Sequence, residues 1–459
     1  MVVLRLLRCL SVCALPLLTA CGSSDSSNDP ADGAYQFVNA LPDSPTLELT
    51  IRLDDDLFQS VPVFGYQQST SLQTINRDVY TYEVSYVDPI SGDSETLLPE
   101  TEFEVLRDTV HTFVLTGSFA TPQVQRLEAS LDVFDADEDE IQLRALNLSS
   151  ETAVIYLGGP DAGLNGDTLL ATLAPGVGND ALLREDPEDS TYRLRVTAEN
   201  SAAVVYDSGE FDIAARSRRL IVLTDAVGPD ARGPSVFLVS EAGASAFTNA
   251  AANSAIQLLS VVSQLPSIEA QLTNTATEET LVVADLSLGV PSSFTAAEPG
   301  FITLTAADAD GLFDATSTIS IDEDAFYTVV VGDGEDRVTR ANRAEYRRVA
   351  TQTAIEFING LEATDDEDVV RVDLYALDVG DSLADAAPIM VGVEFLSSVN
   401  STVPATTLDL VVTTSGTESI LAGPLRVSFP DREARLISVT EAAGGGLPNQ
   451  ILVAPVALP

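Results

Sequence analysis

His111 is the only histidine among 459 residues, so all imidazole chemistry in this chain rests on one position. It lies in VHTFVLT, at a point that matching segments further along fill with Arg219, Tyr327 and Arg435. A residue exchanged so freely within one chain reads as a structural or surface position at a strand start rather than a general base. A Ser-His-Asp triad is disfavoured on the same ground. Every one of the 23 basic residues is Arg, which leaves Ser-Lys and Schiff-base mechanisms without their amine. Carboxylates are the abundant reactive group, 70 in all. Two at a suitable separation suffice for glycoside hydrolysis, but in so acidic a chain a pair carries little information. No Trp offers a sugar-stacking face, and Tyr66, Tyr80, Tyr82 and Tyr86 are the substitutes.

Calcium suits this donor set better than hydrolysis does, because it takes several hard oxygens from flexible loops. Acids cluster at 54–56, 135–140, 308–310, 322–324 and 365–368, in stretches that read as loops or seams. The candidate ligands are Asp135, Asp137, Asp139, Asp308 and Asp310. ADADGLF, which contains Asp308 and Asp310, lacks the later ligands of a twelve-residue calcium loop. The competing reading of each run is a solvated acidic loop. No cofactor is otherwise expected.

The cysteines speak to location. Residues 1–20 have a secretory pattern, with Arg5 and Arg8 before an apolar stretch over 9–18 that is too short to span a bilayer. LTAC at 18–21 follows directly, and it resembles the lipobox of bacterial lipoproteins. The resemblance implies cleavage before Cys21, a diacylglycerol thioether on its sulfur and usually a third chain on the new amino group. Two or more chains anchor stably, so no transmembrane helix is required. Gly22 and Ser23 stand where an inner-membrane retention signal would place Asp, which favours the outer membrane in a host with two. Cys9 and Cys13 leave with the signal, and the mature chain keeps no thiol for a disulfide, zinc or nucleophilic catalysis. Residues 21–33 (CGSSDSSNDPADG) read as the lipidated residue and a flexible tether.

The net charge is −47, and −49 without Arg5 and Arg8. Such a surface repels nucleic acid and anionic headgroups, and it suits solubility in salty water. Beyond the tether one order of segments recurs four times at intervals near one hundred residues. Each unit opens on an apolar strand: YQFVNA from Tyr35, IQLRALN from Ile141, IQLLSVV from Ile256 and IEFING from Ile355. Each later carries a strand alternating at period two, as with Tyr80, Tyr82, Val84 and Tyr86. Each closes on β-branched runs such as FEVLRDTVHTFVLTG and ISIDEDAFYTVVVGD. Short strands, frequent turns and no helical period predict an all-β chain of tandem immunoglobulin-like β-sandwich domains. They are placed at 34–129, 140–242, 254–349 and 353–459. Seams at 130–140, 243–253 and 350–353 are short, which predicts an elongated stack with limited bending.

VNALPDSPTLELTI over 38–51, VVRVDLYAL over 369–377 and FYTVVVGDGE from Phe326 resemble segments of the domain-of-unknown-function family 4397. The resemblance implies immunoglobulin-like sandwiches on bacterial lipoproteins and secreted proteins, with no catalytic residues to transfer. The middle two units lack the Pro-Asp-x-Pro turn and join it only by their place in the repeat. The expectation is therefore a non-enzymatic, exported protein, held to the cell envelope by the lipid on Cys21. It would act as a spacer, an adhesin or a scaffold binding envelope protein or glycan, and not nucleic acid. A calcium-stiffened adhesin and a carboxylate-based envelope hydrolase are the alternatives.

Overall fold

A computed structural model describes residues 32–131, 134, 140–180, 182–185, 191–230, 233–333, 339–362 and 371–459. The chain is all-β apart from one 3-10 turn at Leu383–Asp385. Its strands form tandem immunoglobulin-like β-sandwiches, four among the described residues. Counting the split fourth edge strand of units one and two as one, the strand order within a unit is 4-1-7-8 in one sheet and 3-2-5-6 in the other in all four, and unit two adds one strand beyond its eighth. The first strands are Gly33–Asn39, Glu140–Asn147, Ser254–Ser260 and Gln352–Asn359. Each runs parallel to the seventh strand of its unit, Thr109–Ser118, Ser217–Asp225, Phe326–Val331 and Ala434–Thr440, while its other neighbours are antiparallel.

Sequence pattern separates the two sheets. Fifth strands alternate, so Val79–Val87 sends Tyr80, Tyr82 and Val84 into the core while Thr81 and Glu83 face outward. A sheet covered on one face gives this period. First and seventh strands do not alternate. Every residue of Gly33–Asn39, Ser254–Ser260 and Phe326–Val331 is buried. Their inner faces fill the core of their own sandwich, as Tyr35, Phe37 and Phe113 do in the first.

Their outer faces meet the next unit. Val38, Ala40, Val114 and Leu127 of the first unit form one cluster with Leu146, Leu220, Val222, Phe237 and Val239 of the second. Ala255, Leu259, Phe326, Val330 and Tyr346 of the third do the same with Ala354, Ile358, Leu396 and Leu436 of the fourth. The sandwiches are thus paired sheet on sheet, one with two and three with four. This corrects the expected end-to-end stack. The short seams allow an elongated arrangement, but burying a second apolar face at about 25 cal/mol per Å² outweighs it. A further correction concerns 243–253: Gly243–Phe247, expected as seam, is a strand hydrogen-bonded to Pro234–Ser240.

No described helix is long and apolar enough to cross a membrane.

Candidate functional site: the junction of the sandwiches

The residues singled out for chemistry do not assemble into one site, and of the tyrosines Tyr80 and Tyr82 are buried in the first core. Cys21 and the acids Asp135, Asp137 and Asp139 fall outside the described residues. Asp308 and Asp310 occupy the turn between Gly300–Ala307 and Asp314–Ile321. Asp308 turns its carboxylate onto that turn's own backbone: Oδ1 accepts the Phe313 N–H at 2.6 Å and Oδ2 accepts the Asp310 N–H at 3.2 Å. These amides, Phe313 foremost, hold its carboxyl below the usual range. Among the described residues no group of three or more His, Cys, Asp or Glu is placed to hold a metal.

His111 is fully buried. The Leu106 N–H donates to its Nε2 at 3.1 Å, which requires the lone pair there. Nδ1 lies 3.0 Å from Arg126 Nη2 and 3.5 Å from Glu128 Oε1. Burial, and then Arg126, lower its pKa and hold the ring neutral. Of the structural and surface readings, the geometry supports the structural one.

Tyr66 apart, the polar side chains that do converge were not singled out from sequence, and they lie where the pairs meet. Asp43, in the Pro-Asp-Ser-Pro turn of the first unit, bonds in three directions. Its Oδ1 accepts the Phe119 N–H at 2.8 Å and its backbone carbonyl accepts the Ala350 N–H at 2.8 Å. Its Oδ2 lies 3.3 Å from Arg432 Nη2 of the fourth unit. Arg347 completes the latch by donating from Nη1 to the carbonyls of Pro42 at 3.0 Å and Ser44 at 2.8 Å. Its guanidinium also sits 5.6 Å from the centroid of Tyr66, whose hydroxyl is 2.6 Å from Thr224 Oγ1 of the second unit. Burial lowers the pKa of Arg347 and raises that of Tyr66.

Unit two reaches unit three through Asp324, whose Oδ2 accepts the Asn249 N–H at 3.1 Å. Burial raises the Asp324 carboxyl, against that amide. Gly228 is packed so closely here that a Cβ would collide with the Asp324 carboxylate. Around this latch lie two adjoining clefts of about 480 and 290 Å³ that share Val227, Gly228, Phe326, Tyr346 and Arg347. Arg343 and Arg348 are exposed at their walls.

A second polar set lies inside the seams. The residue after the first apolar position of each opening strand faces the partner unit: Gln36, Gln142, Gln257 and Glu356, all buried. Gln36 Nε2 crosses the first seam to the Ser240 carbonyl at 2.7 Å. In the second seam Gln257 Nε2 donates to Thr328 Oγ1 and to the Tyr346 hydroxyl, both at 2.9 Å. Thr328 Oγ1 donates to Glu356 Oε2 at 2.6 Å, and so does the Tyr346 hydroxyl. Burial raises the Glu356 carboxyl. The signal was present in the repeat, where YQF, IQL, IQL and IEF put an amide or acid beside the strand's first core residue.

No known family profile and no curated protein matches the chain. Among solved structures, the Bacillus anthracis TIE protein aligns at 8% identity over 90% of this chain and 75% of its own, with a TM-score of 0.16. The Streptococcal ancillary pilin aligns at 12% identity over 64% of this chain and 96% of its own, with a TM-score of 0.14. Trypsin-activated alpha-2-macroglobulin from Escherichia coli aligns at 10% identity over 94% and 31%, with a TM-score of 0.12. Scores this low carry no argument about what the chain does.

Proposed function

We propose that this is a non-enzymatic scaffold of the bacterial cell envelope, anchored by lipid on Cys21 and displaying four sandwiches on the tether that follows. The observation that carries the reading is how the reactive side chains are used. His111, Asp308, Asp43, Arg347 and Glu356 are each bonded to the chain's own backbone or to a neighbouring side chain, and none forms a pair of acids or a nucleophile and base facing an open cleft. An enzyme needs a reacting group within bonding reach of a substrate position. A display scaffold needs its units held in register, which Asp43, Arg347 and Glu356 do, while His111 and Asp308 brace their own units. Residues 1–21 support export and acylation through the lipobox resemblance, and the outer membrane is favoured in a host with two. The clefts around Arg347 are the natural contact surface for an envelope protein or glycan.

Expression in a bacterial host with an alkyne fatty acid tests the anchor. The expected result is a labelled chain in the membrane fraction, with label and membrane association both lost in Cys21→Ser. An unlabelled wild-type chain, or a Cys21→Ser chain that stays membrane-bound, overturns the proposal.

A further inference from the structure

The two seams are built on one plan and filled differently. In the seam between units three and four, Gln257 lies opposite Thr328 in the parallel register, and the space beyond is closed by Tyr346 and Glu356. In the seam between units one and two the corresponding register sets Gln36 opposite Thr112 and Gln142 opposite Arg218. A cavity of about 50 Å³ remains there, lined by Arg144, Arg218 and Arg219 with Gln142, Glu128 and Glu241. One water needs about 10–15 Å³ on this measure, so the space takes one small ion with a water or two.

The charges around the cavity do not balance. Arg218 Nη1 pairs with Glu241 Oε1 at 2.8 Å, and its Nη2 donates to the Leu131 carbonyl. Its Nε is buried without an acceptor. Arg144 donates to two carbonyls, Asn179 at 2.9 Å and Glu128 at 2.8 Å, and the Asp180 and Glu128 carboxylates act on it only electrostatically. Arg219 donates to the Arg218 carbonyl at 2.9 Å. The Glu128 carboxylate is 3.1 Å from Arg126 and so is already committed. Burial lowers the pKa of both Arg144 and Arg219, as expected of guanidiniums that have lost water without gaining full counter-charge. In a chain of net charge −47, three arginines at one cavity run against the prevailing sign. Partly buried cations call for an anion.

We propose that the cavity between the first two sandwiches binds one halide-sized monovalent anion, chloride where chloride is abundant, held by Arg144, Arg218 and Arg219. The ion ties unit one to unit two, because Arg144 and Arg218 also donate to the Glu128 and Leu131 carbonyls at the end of the first unit. The seam between units three and four, closed by side chains, takes none.

Thermal melts of the chain from Gly22 to Pro459 test this at fixed ionic strength, with chloride replacing gluconate. General screening is equal in both salts, and a bound ion is told from non-specific salt effects by a shift that saturates and depends on the site. The expected result is a saturable rise in midpoint of a few degrees with chloride, reproduced by bromide and abolished in Arg144→Gln and in Arg219→Gln. Crystals grown in bromide provide a readout independent of those variants' folding, with an anomalous peak at the cavity. Equal midpoints in the two salts overturn the proposal, as do a chloride shift that survives both substitutions and a bromide peak elsewhere only.

Discussion

His111 and Glu356 are both buried and titratable, and they pull stability in opposite directions along the pH axis. The histidine's pKa is lowered on folding by burial and by Arg126. The unfolded chain then binds the proton first, so the contribution of His111 is whole above about pH 6.5 and is lost as pH falls through the depressed folded value. The Glu356 carboxyl is raised by burial. Its contribution is whole below the unfolded value near 4.5 and is lost as pH rises through the folded one. Melts from pH 4 to 8 should therefore show an acid-side loss that flattens in His111→Gln and a second slope, falling with rising pH, that flattens in Glu356→Gln. Each unit of pKa displacement corresponds to about 1.4 kcal/mol. A Glu356→Gln profile that keeps the wild-type slope would show that the carboxyl titrates normally. Sequence reading took His111 out of catalysis because the repeats exchange the residue, and its burial then decided between a structural and a surface role. It passed over Glu356 because one acid among 70 carries no mark until its strand is known to be covered on both faces.

At the scale of elements, the pattern of the strands was legible and its consequence was only half drawn. Alternation in the fifth strands marked sheets with one wet face. The unbroken apolar runs of the first and seventh strands marked sheets with none, yet a run alone does not say what covers the second face. The corners show a similar division. Asn39, Asn147 and Asn359 end the first strands of units one, two and four, and all are fully buried. Each side-chain oxygen accepts an N–H two residues on, from Leu41, Ser149 and Leu361. Each side-chain amide reaches a carbonyl at or near the third strand: Phe64, Leu173 and Val393. One residue thereby ties the two sheets together where the chain turns between them. Unit three has Ser260, which accepts only the nearer bond, from Val262. Asn359→Ala strands the Val393 carbonyl and the Leu361 N–H in the core, and should cost about 1–3 kcal/mol by urea unfolding. Ser260→Ala has one long bond to lose and should cost less. Equal losses at the two sites would mean the corner amides do not join the sheets.

At the scale of the molecule, the junctions are of two chemical kinds. Within a pair, the seam is an apolar cluster running across two sheets, the sort of contact that unfolds with the domains it joins. Between pairs, the contacts described above are polar: Asp43 with Ala350 and Arg432, Arg347 with Pro42 and Ser44, Asp324 with Asn249. Polar inter-domain contacts are the ones that allow relative motion by default, so the latch around Asp43 and Arg347 decides whether the four sandwiches behave as one body or as two. Arg347 gives a half-buried charged donor to two carbonyls, and hydrogen bonds to charged groups contribute about 1.5–3 kcal/mol each. Arg347→Ala should leave every sandwich core intact while separating the pairs. Calorimetry should then resolve two transitions, one for units one and two and one for units three and four, in place of a coupled melt. Amide exchange should quicken at Ala350, whose N–H ends on the Asp43 carbonyl, and stay slow at Val114 and Leu436 in the seams. A variant that melts like the wild type, with Ala350 still protected, would locate the coupling in Asp324 and Asn249 instead, and Asp324→Asn would be the substitution that separates the pairs.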